Sequence, residues 1–467
     1  MPIDVKFLWC SLIQEYLNIK MNLKILIIGQ GGREHAIAWK LGKSNKVNEI
    51  FVAPGNGGTY FENKVTNVNI NSNDKTALID FVKKNSIDIT IVGPEAPLVD
   101  GIVNEFKKQN LKIFGPTKEH AQLEGSKIFA KKFMVDNGIP TANAKSFSQK
   151  NEAIDYLKTQ KFPIVIKADT LAAGKGVIIA ESLDESQDAV NELMDKKGFE
   201  KIVIEDFLTG IELSAIYICN YNSRGYEIAL PWIKDYKSRD EYNAGPNTGG
   251  MGAVTHPLTF DKKNILFKIN MQIEKILEKT IHSINQKYSS NYLGFLYIGL
   301  MVNQECEVKV LEYNCRLGDP ETQNIMVTLN NENIDLLDMI LYENQEYGIM
   351  PPPPIEPSKF SSEYQYSCTV VLASKGYPDD YKKNYFLDIS SVIEKPYLKI
   401  FHSGTIIFNG KIKVIGGRIL SVNAVAKDKE TAVKLAYDNI KKIKAFEDED
   451  FTKENKDLIF FREDIGN

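Results

Sequence analysis

The sequence predicts a multidomain chain of mixed α/β and α+β class: a parallel-sheet N-terminal domain, a mostly antiparallel body and a small α+β C-terminal domain. Three observations carry this. From residue 23, the apolar runs "LKILII", "NEIFVAP", "SIDITIVGP" and "LKIFGP" alternate with helix-like stretches such as "DKTALIDFVKK" and "PLVDGIVNEFKKQ". That spacing is the signature of βαβ units with ligands at the carboxyl ends of the strands. Between residues 122 and 345, the runs "FPIVIKAD", "GVIIAE", "KIVIEDFL", "ELSAIYIC", "EIALPW", "LGFLYIGLMV" and "CEVKVLEYN" are often separated only by short turns, which favours antiparallel pairing. The run "PPPPIEP" at 351–357 then stops regular structure and reads as a stiff linker. The resulting boundaries are an N-terminal extension (1–20), an N-domain (21–121), a body (122–345), a linker (346–357) and a C-terminal domain (358–467).

Composition narrows the function. The 57 Lys and Arg residues against 61 acids leave a net charge of -4, so no basic field invites nucleic acid or an anionic membrane. No apolar run approaches the ~18 residues needed to cross a bilayer. Cys10, Cys219, Cys306, Cys315 and Cys368 are scattered without zinc-ligand spacing and read as reduced thiols of a cytoplasmic protein. The leader "MPIDVKFLWCSLIQEYLNIK" has a weakly charged start and no small-residue cleavage site, so it does not read as a signal peptide. It is either an upstream extension or an amphipathic interaction segment.

The stretch "GQGGREHAIAWKLG" (29–42) follows the first strand as a glycine turn into a helix. Gly29 and Gly31 fit a dinucleotide fingerprint, but Glu34 stands where the third glycine belongs, and the next strand ends on Ala53, Pro54 and Gly55 rather than an acid. What remains is a helix N-terminus with free amides and Arg33 close by, suited to a single phosphate, or a tight turn without a ligand.

Further motifs carry chemistry. "VIKADTLAAGKGVIIA" (165–180) places Lys167 on a strand before a loop containing Gly174, Lys175 and Gly176; it is not a Walker A loop, and it fits a flexible flap over a triphosphate or a solvated hairpin. "IVIEDFLTGIE" ends a strand on Glu205 and Asp206, with Phe207, Leu208 and Glu212 beyond, in a pattern suited to an adenine edge and a ribose diol or to a bare edge strand. In "VLEYNCRLGDPETQ" (310–323), Glu312 and Asn314 leave the same strand face as hard oxygen ligands suited to Mg²⁺. Arg316 follows with a fork for phosphate, and Asp319 and Glu321 add two acids. "GPNTGGMGAV" (245–254) is a shaped loop, either lining a second ligand site or plain surface.

Taken in order, "GGREHAIAWKL", "PGNGGT", "VGPEAPLVDGI", "FGPTKEHAQLEGSK", "KADTLAAGKGV", "GPNTGGMGA", "YIGLMV", "EYNCRLGDPETQ", "VVLASKGYP", "FHSGT", "GGRIL" and "REDIG" resemble the phosphoribosylamine-glycine ligase (glycinamide ribonucleotide synthetase) family from Met21 to the C-terminus. The resemblance implies a pre-ATP-grasp N-domain, an ATP-grasp body with a lid at about 143–212, and a C-domain. It implies that Lys127 and Lys167 contact ATP phosphates under a lid loop carrying Gly174, Lys175 and Gly176. Glu205, Phe207 and Leu208 would line the adenine, Glu212 the ribose, and Glu312 and Asn314 would hold Mg²⁺ or Mn²⁺. Gly31, Gly32, Arg33, Glu34, Pro94, Glu95, Gly249, Gly250, Met251, Gly252 and Arg316 are the implied substrate contacts, and Lys167, Arg316 and Asp319 the catalytic set.

The implied reaction joins glycine to phosphoribosylamine through glycyl phosphate, with small-molecule partners only, in a cytoplasmic monomer. Departures from the family pattern are Thr170 for Gly, Leu317 for Phe, and "DYKS" (Asp235, Tyr236, Lys237, Ser238) for D-H-K-R. The rivals are another ATP-grasp ligase acting on a different carboxylate, and a nucleotide-binding sensor without catalysis. Since the first strand begins just after Met21, a chain starting there is expected to fold and turn over normally; its melting temperature and turnover beside those of the full chain check this.

Overall fold

The computed structural model describes residues 22–171, 176–219, 227–255, 263–331, 334–341 and 366–467. The N-terminal extension, the linker at 346–357, Gly174 and Lys175 lie outside the described residues.

Strands β1 (Leu23–Gly29), β2 (Val47–Pro54), β3 (Val65–Asn67), β4 (Ile89–Val92) and β5 (Ile113–Phe114) form the N-terminal parallel sheet in the order β3-β2-β1-β4-β5. Ile25, Leu26, Ile27 and Ile28 are all fully buried, as expected of a parallel strand covered on both faces. The order reverses between β1 and β4, which opens a crevice beyond Gly29 and Gly93. Helix α1 (Gly32–Gly42) leaves that crevice, and α2 (Lys75–Asn85) is capped by Asp74, which accepts from the Ala77 amide. The stretch "PLVDGIVNEFKKQ" is two helices rather than one, α3 (Glu95–Val99) and α4 (Ile102–Lys108). They break at Gly101, whose φ of +87° ends helical geometry where a residue without Cβ makes it cheap.

After α5 (Gln122–Gly125) and α6 (Lys127–Asp136), a small antiparallel sheet is built from β6 (Ala144–Phe147), β7 (Ile164–Ala168), β8 (Val177–Ala180) and β9 (Ile202–Asp206) in the order β6-β9-β7-β8. Helices α7 (Lys150–Leu157) and α8 (Leu183–Val190) pack on it around a separate core of Phe147, Leu157, Ile164, Ile166 and Ile204.

The body contributes β10 (Ile211–Cys219), β11 (Ile228–Ala229), β12 (Ile233–Asp235), β13 (Gly252–Thr255), β14 (Gly294–Val302) and β15 (Val308–Asn314). Beyond the linker come β16 (Tyr366–Ser374), β17 (Tyr385–Asp388), β18 (Leu398–His402), β19 (Thr405–Phe408), β20 (Lys411–Val414), β21 (Arg418–Ala426) and β22 (Lys444–Phe446). One sheet runs β15-β14-β10-β12-β13-β16-β21-β18, so strands from both sides of the linker share a hydrogen-bonded surface, with Val254 paired to Cys368. β11 pairs with β10 and a last strand, β23 (Ile459–Phe460), with β16, which makes this sheet ten-stranded; β19-β20-β17-β22 form a separate four-stranded sheet. Helix α9 (Lys263–Tyr288) lies against β15, α10 (Glu321–Asn331) packs on α1 and the large sheet, and α12 (Lys429–Ile440) covers β16 and β21; α11 (Leu336–Leu341) is short and buried.

A buried polar joint binds α1 to β18. The His402 amide donates to His35 Nδ1 at 2.8 Å, which leaves His35 Nε2 to donate to Glu62 Oε1 at 3.0 Å. Lys399 reaches the same carboxylate oxygen at 2.6 Å, while Phe401 stands edge-on to both His35 and Trp39. Burial pushes the Glu62 carboxyl up, but the His35 hydrogen bond and the Lys399 charge outweigh it and hold the pKa at about 2. A carboxylate so depressed stabilises the fold above its ordinary value near 4.5 and loses that contribution as pH falls toward about 2. Glu62→Ala is expected to cost about 2 kcal/mol, because it leaves His35 Nε2 buried without its acceptor and takes from Lys399 one of its two acids, Glu394 remaining at 2.7 Å, and to flatten the acid side of a melting-temperature profile across that window. Thermal unfolding at a series of pH values checks both.

Candidate active site

One face of the large sheet collects the polar side chains. On β10, β14 and β15 the register sets Ser214 opposite Gly299 and Gly299 opposite Glu312, with Tyr297 opposite Asn314. Ser214 Oγ and Tyr297 Oη lie 2.7 Å apart. Gly299 is small for a reason: a Cβ there would sit 3.2 Å from Glu312 Cγ. Glu312 and Asn314 share this face, two apart on β15 as strand alternation requires. Lys237, just past β12, pairs with Glu212 and lies 3.6 Å from Glu312. Burial raises the Glu312 carboxyl, yet Lys237, Lys167, Lys127 and Arg316 prevail and hold its pKa at about 2.

Lys237, Lys167 and Arg316 are each also paired with other acids, Glu212, Glu205, and Glu95 with Glu124, so the face is a network of ion pairs whose cations suit phosphate oxygens as well as carboxylates. Among the described residues no group of three or more His, Cys, Asp or Glu is arranged to hold a metal. The oxygen donors of Glu312 and Asn314, two apart on one strand face, fit a hard divalent cation that takes its other ligands from phosphate oxygens and water.

The lid sheet and α6 supply the cations on the other side. Ser126 caps α6 and donates to Asp169 at 2.9 Å; the Ile128 amide donates to the same oxygen at 3.0 Å, which ties the end of β7 to the helix. Lys127 donates to the Thr170 carbonyl at 3.1 Å. Burial lowers the pKa of Lys127 and of Lys131. Glu205 is buried between Lys131 at 2.9 Å and Lys167 at 3.2 Å, so its carboxylate faces the lysines. Phe207 and Leu208 follow at the open end of β9, with Phe207 exposed, and Glu212 begins the facing strand beyond. Gly176 accepts from the Ala168 amide at 2.8 Å and closes the base of the hairpin.

At the N-domain end, Glu34 explains the missing glycine. Its side chain fills the crevice so closely that a Cβ on Gly29 or Gly93 would come within 2.4 or 2.0 Å of it. Glu34 also takes the Gly31 amide at 2.6 Å and Arg33 Nε at 2.6 Å. Arg33 is buried and donates to the Leu317 carbonyl at 3.0 Å, and its amide points to Asp319 at 3.4 Å. Two of the helix amides expected to be free are thus turned toward carboxylates. Gly32 sits against Gln323, where a Cβ would meet Nε2 at 2.3 Å. Pro94 caps α3, and Glu95 in its first turn meets Arg316 at 3.3 Å. Arg316 also pairs with Glu124 at 3.0 Å, and these two acids, against the cost of burial, raise its pKa further.

The loop of Gly249, Gly250, Met251 and Gly252 is held from the C-terminal region. Arg418 Nη1 donates to the Gly249 carbonyl at 2.6 Å and the Asp319 carbonyl at 2.5 Å, and the Gly249 amide donates to Tyr377 Oη at 3.1 Å. Gly250 has φ +112°, and a Cβ there would lie 2.5 Å from Pro320. Met251 is fully buried, and Gly252 packs against the Thr369 carbonyl.

Family models match most of this architecture. Phosphoribosylglycinamide synthetase, N domain, matches residues 23–124; its ATP-grasp (A) domain matches 125–322; its C domain matches 367–467. The chain belongs to the phosphoribosylglycinamide synthetase family. It is 41% identical over 452 residues to the phosphoribosylamine–glycine ligase of Clostridium acetobutylicum, covering 95% of this chain and 99% of that one. It is 40% identical over 434 residues to the human trifunctional purine biosynthetic protein adenosine-3, covering 91% of this chain and 41% of the longer one. The solved phosphoribosylamine–glycine ligase of Thermotoga maritima is similar at 32% identity and a TM-score of 0.74, over 95% of this chain and 100% of that one. A biotin carboxylase domain of Hydrogenobacter thermophilus shares the fold alone, at 13% identity and a TM-score of 0.68 over 91% of each chain.

Within this synthetase family fold, the departures in "DYKS" fall on one side of the chain. Tyr236 Oη accepts from the Gly466 amide at 3.0 Å beneath Arg462, and the Ser238 carbonyl accepts from Arg462 at 2.9 Å; both serve the C-terminus. Asp235 and Lys237, which keep the family's residue types, alternate to the other side and meet Glu321, Glu212 and Glu312. Thr170 contacts Lys127 through its carbonyl, and Leu317 uses its carbonyl for Arg33 while its side chain is buried, so both substitutions spare those contacts.

Sequence reasoning left Lys131, Lys237 and Arg418 without roles. Lys131 lies one helical turn after Lys127, a spacing visible in the sequence; Arg418 is more than 160 residues from the loop it holds, and no local pattern announces it. Arg33→Ala in this synthetase would strand Glu34 in the crevice. It is expected to cost about 3 kcal/mol, with Arg33→Lys recovering only part, because Lys lacks the fork that spans Glu34 and Leu317. Thermal or denaturant unfolding of the two variants measures this.

Proposed function

We propose that the chain catalyses ATP-dependent ligation of glycine to 5-phospho-D-ribosylamine, giving glycinamide ribonucleotide, ADP and phosphate, as a carbon–nitrogen ligase of purine biosynthesis. The observation that carries this reading is the face holding Glu312 and Asn314 beneath Lys127, Lys167, Lys237 and Arg316, at the junction with the N-domain crevice. The family membership and the names of the relatives support the same reaction.

ATP lies between the lid sheet and the large sheet in this reading, with Glu205, Phe207 and Leu208 near the adenine, Glu212 near the ribose, and Lys127, Lys167 and the Gly174–Gly176 loop toward the phosphates. Glu312 and Asn314 would hold Mg²⁺, with Mn²⁺ as a substitute. When bound, the cation neutralises charge between the phosphate groups. Lys167 and Arg316 stabilise the charge that develops as the glycine carboxylate attacks the γ-phosphorus and ADP departs. The amine of phosphoribosylamine then attacks the acyl carbon of glycyl phosphate and expels phosphate. The ribosylamine phosphate would lie at the rim of the crevice, beside Gly31, Gly32, Pro94 and Glu95, and take the N–H groups of Arg33 and Arg316 that Glu34, the Leu317 carbonyl, Glu95 and Glu124 leave over. The loop at Gly249–Gly252 and Asp319 close the space between the two substrates, and the lid keeps water from the acyl phosphate. A cytoplasmic monomer acting on small molecules is part of the same proposal.

Phosphate release with ATP, Mg²⁺ and glycine, with and without phosphoribosylamine, tests the reaction; release that ignores both glycine and the amine would refute it. Glu312→Gln keeps volume but removes the charge, so turnover is expected to fall roughly a hundredfold with the fold intact. Raising Mg²⁺ recovers part of that loss, whereas near wild-type turnover at limiting Mg²⁺ would remove Glu312 and Asn314 from the metal site.

A further inference from the structure

Glu205, next to last on the lid strand β9, is buried, and one oxygen of its carboxylate, Oε2, serves two buried lysines, Lys131 at 2.9 Å and Lys167 at 3.2 Å. The two lysines are held differently. Lys131 Nζ also donates to Thr141 Oγ1 at 2.7 Å, and the Thr141 hydroxyl donates onward to the Val310 carbonyl at 2.7 Å. The Val310 amide returns to the Pro140 carbonyl at 2.8 Å, so Lys131 is tied to β15 through the segment that leads into the lid. Lys167 lacks such a tie. Beside Glu205 it reaches the Leu311 carbonyl at 3.5 Å, a long contact that a better acceptor displaces.

This asymmetry decides what is left behind when a nucleotide arrives. A lysine that turns toward a phosphate abandons its carboxylate, and a carboxylate stranded in the interior is strongly unfavourable. With Lys131 fixed beside it, Glu205 keeps a cation while Lys167 moves. The other lysines of this face are engaged away from Glu205, Lys127 at the Thr170 carbonyl and Lys237 at Glu212.

We propose that Lys131 is a positioning residue: by holding Glu205 against α6, it leaves Lys167 available to the ATP phosphates. This rests on the placement of ATP in the ligase reading above and adds the group that frees Lys167 to serve it. Without Lys131, Lys167 becomes the sole cation of Glu205, and the nucleotide competes with a buried ion pair.

The test is calorimetric titration of the full chain with ATP and Mg²⁺, in the absence of glycine and phosphoribosylamine. Lys131→Met keeps the apolar stem and removes the charge. It is expected to weaken ATP about tenfold or more, while affinity for adenosine, which has no phosphate, changes by less than about threefold. Lys131→Gln carries the same expectation and serves where the Met variant does not fold. In a Glu205→Gln background no carboxylate is left to hold Lys167, so replacing Lys131 is expected to change ATP affinity by less than about threefold; a packing role for Lys131 does not produce that non-additivity. Unchanged ATP affinity in the Lys131 variants, an equal loss for ATP and adenosine, or the same loss in the Glu205→Gln background overturns the assignment. Failure of both Lys131 variants to fold does so too, because it makes Lys131 a residue of the core. A wild-type chain that does not bind ATP would instead refute the nucleotide placement, and one that binds ATP but makes no product from glycine refutes the ligase reading alone.

Discussion

The turn from Cys315 to Asp319 depends on one guanidinium. Arg316 bridges Glu95 of the N-domain and Glu124 before α6, and it leaves the strand that carries Glu312 and Asn314. Glu124 in turn accepts the Cys315 amide at 2.8 Å, so the backbone of the turn is fixed by the same ion pair. Removing one partner of such a buried pair costs about 3–5 kcal/mol, more than an exposed pair could, because the remaining charge cannot find water. Through this turn the N-domain crevice, the metal-suited face and the Arg418 clamp share one reference frame. A displacement of the turn would move all three together.

Charge balance follows from that frame. The lysines around Glu205 and Glu312 are matched by acids, whereas Asp235 and Glu321 are neighbouring carboxyls whose pKa values burial raises. The Gly249–Gly252 loop has a single side chain, that of Met251, and it is buried; the loop is held by Arg418 and Tyr377.

Strand alternation protects this arrangement from drift in sequence. At 235–238 the retained acid and lysine face the site, while Tyr236 and Ser238 face the C-terminal residues, where a phenol and a carbonyl hold Gly466 and Arg462. The unusual residues therefore alter the support of the loop, and the groups that meet the substrate face are unchanged.

Much of this was legible in the sequence, because parallel strands buried on both faces read as unbroken apolar runs and the two-residue period set Glu312 beside Asn314. The βαβ order, the antiparallel lid and body, and the glycine turn at Gly29–Gly31 are local patterns that a chain carries in its own order. Other features were decided only by tertiary structure. The break at Gly101 and the three residues of β3 are too short to show in periodicity. The ten-stranded sheet that joins β13 to β16, the closure of the Gly31 amide by Glu34, and the grip of Arg418 on Gly249 all pair residues whose separation or burial no local pattern encodes. A hydrogen bond or ion pair needs its partner within about 3 Å, and that proximity is set by packing of the whole chain rather than by neighbours in sequence.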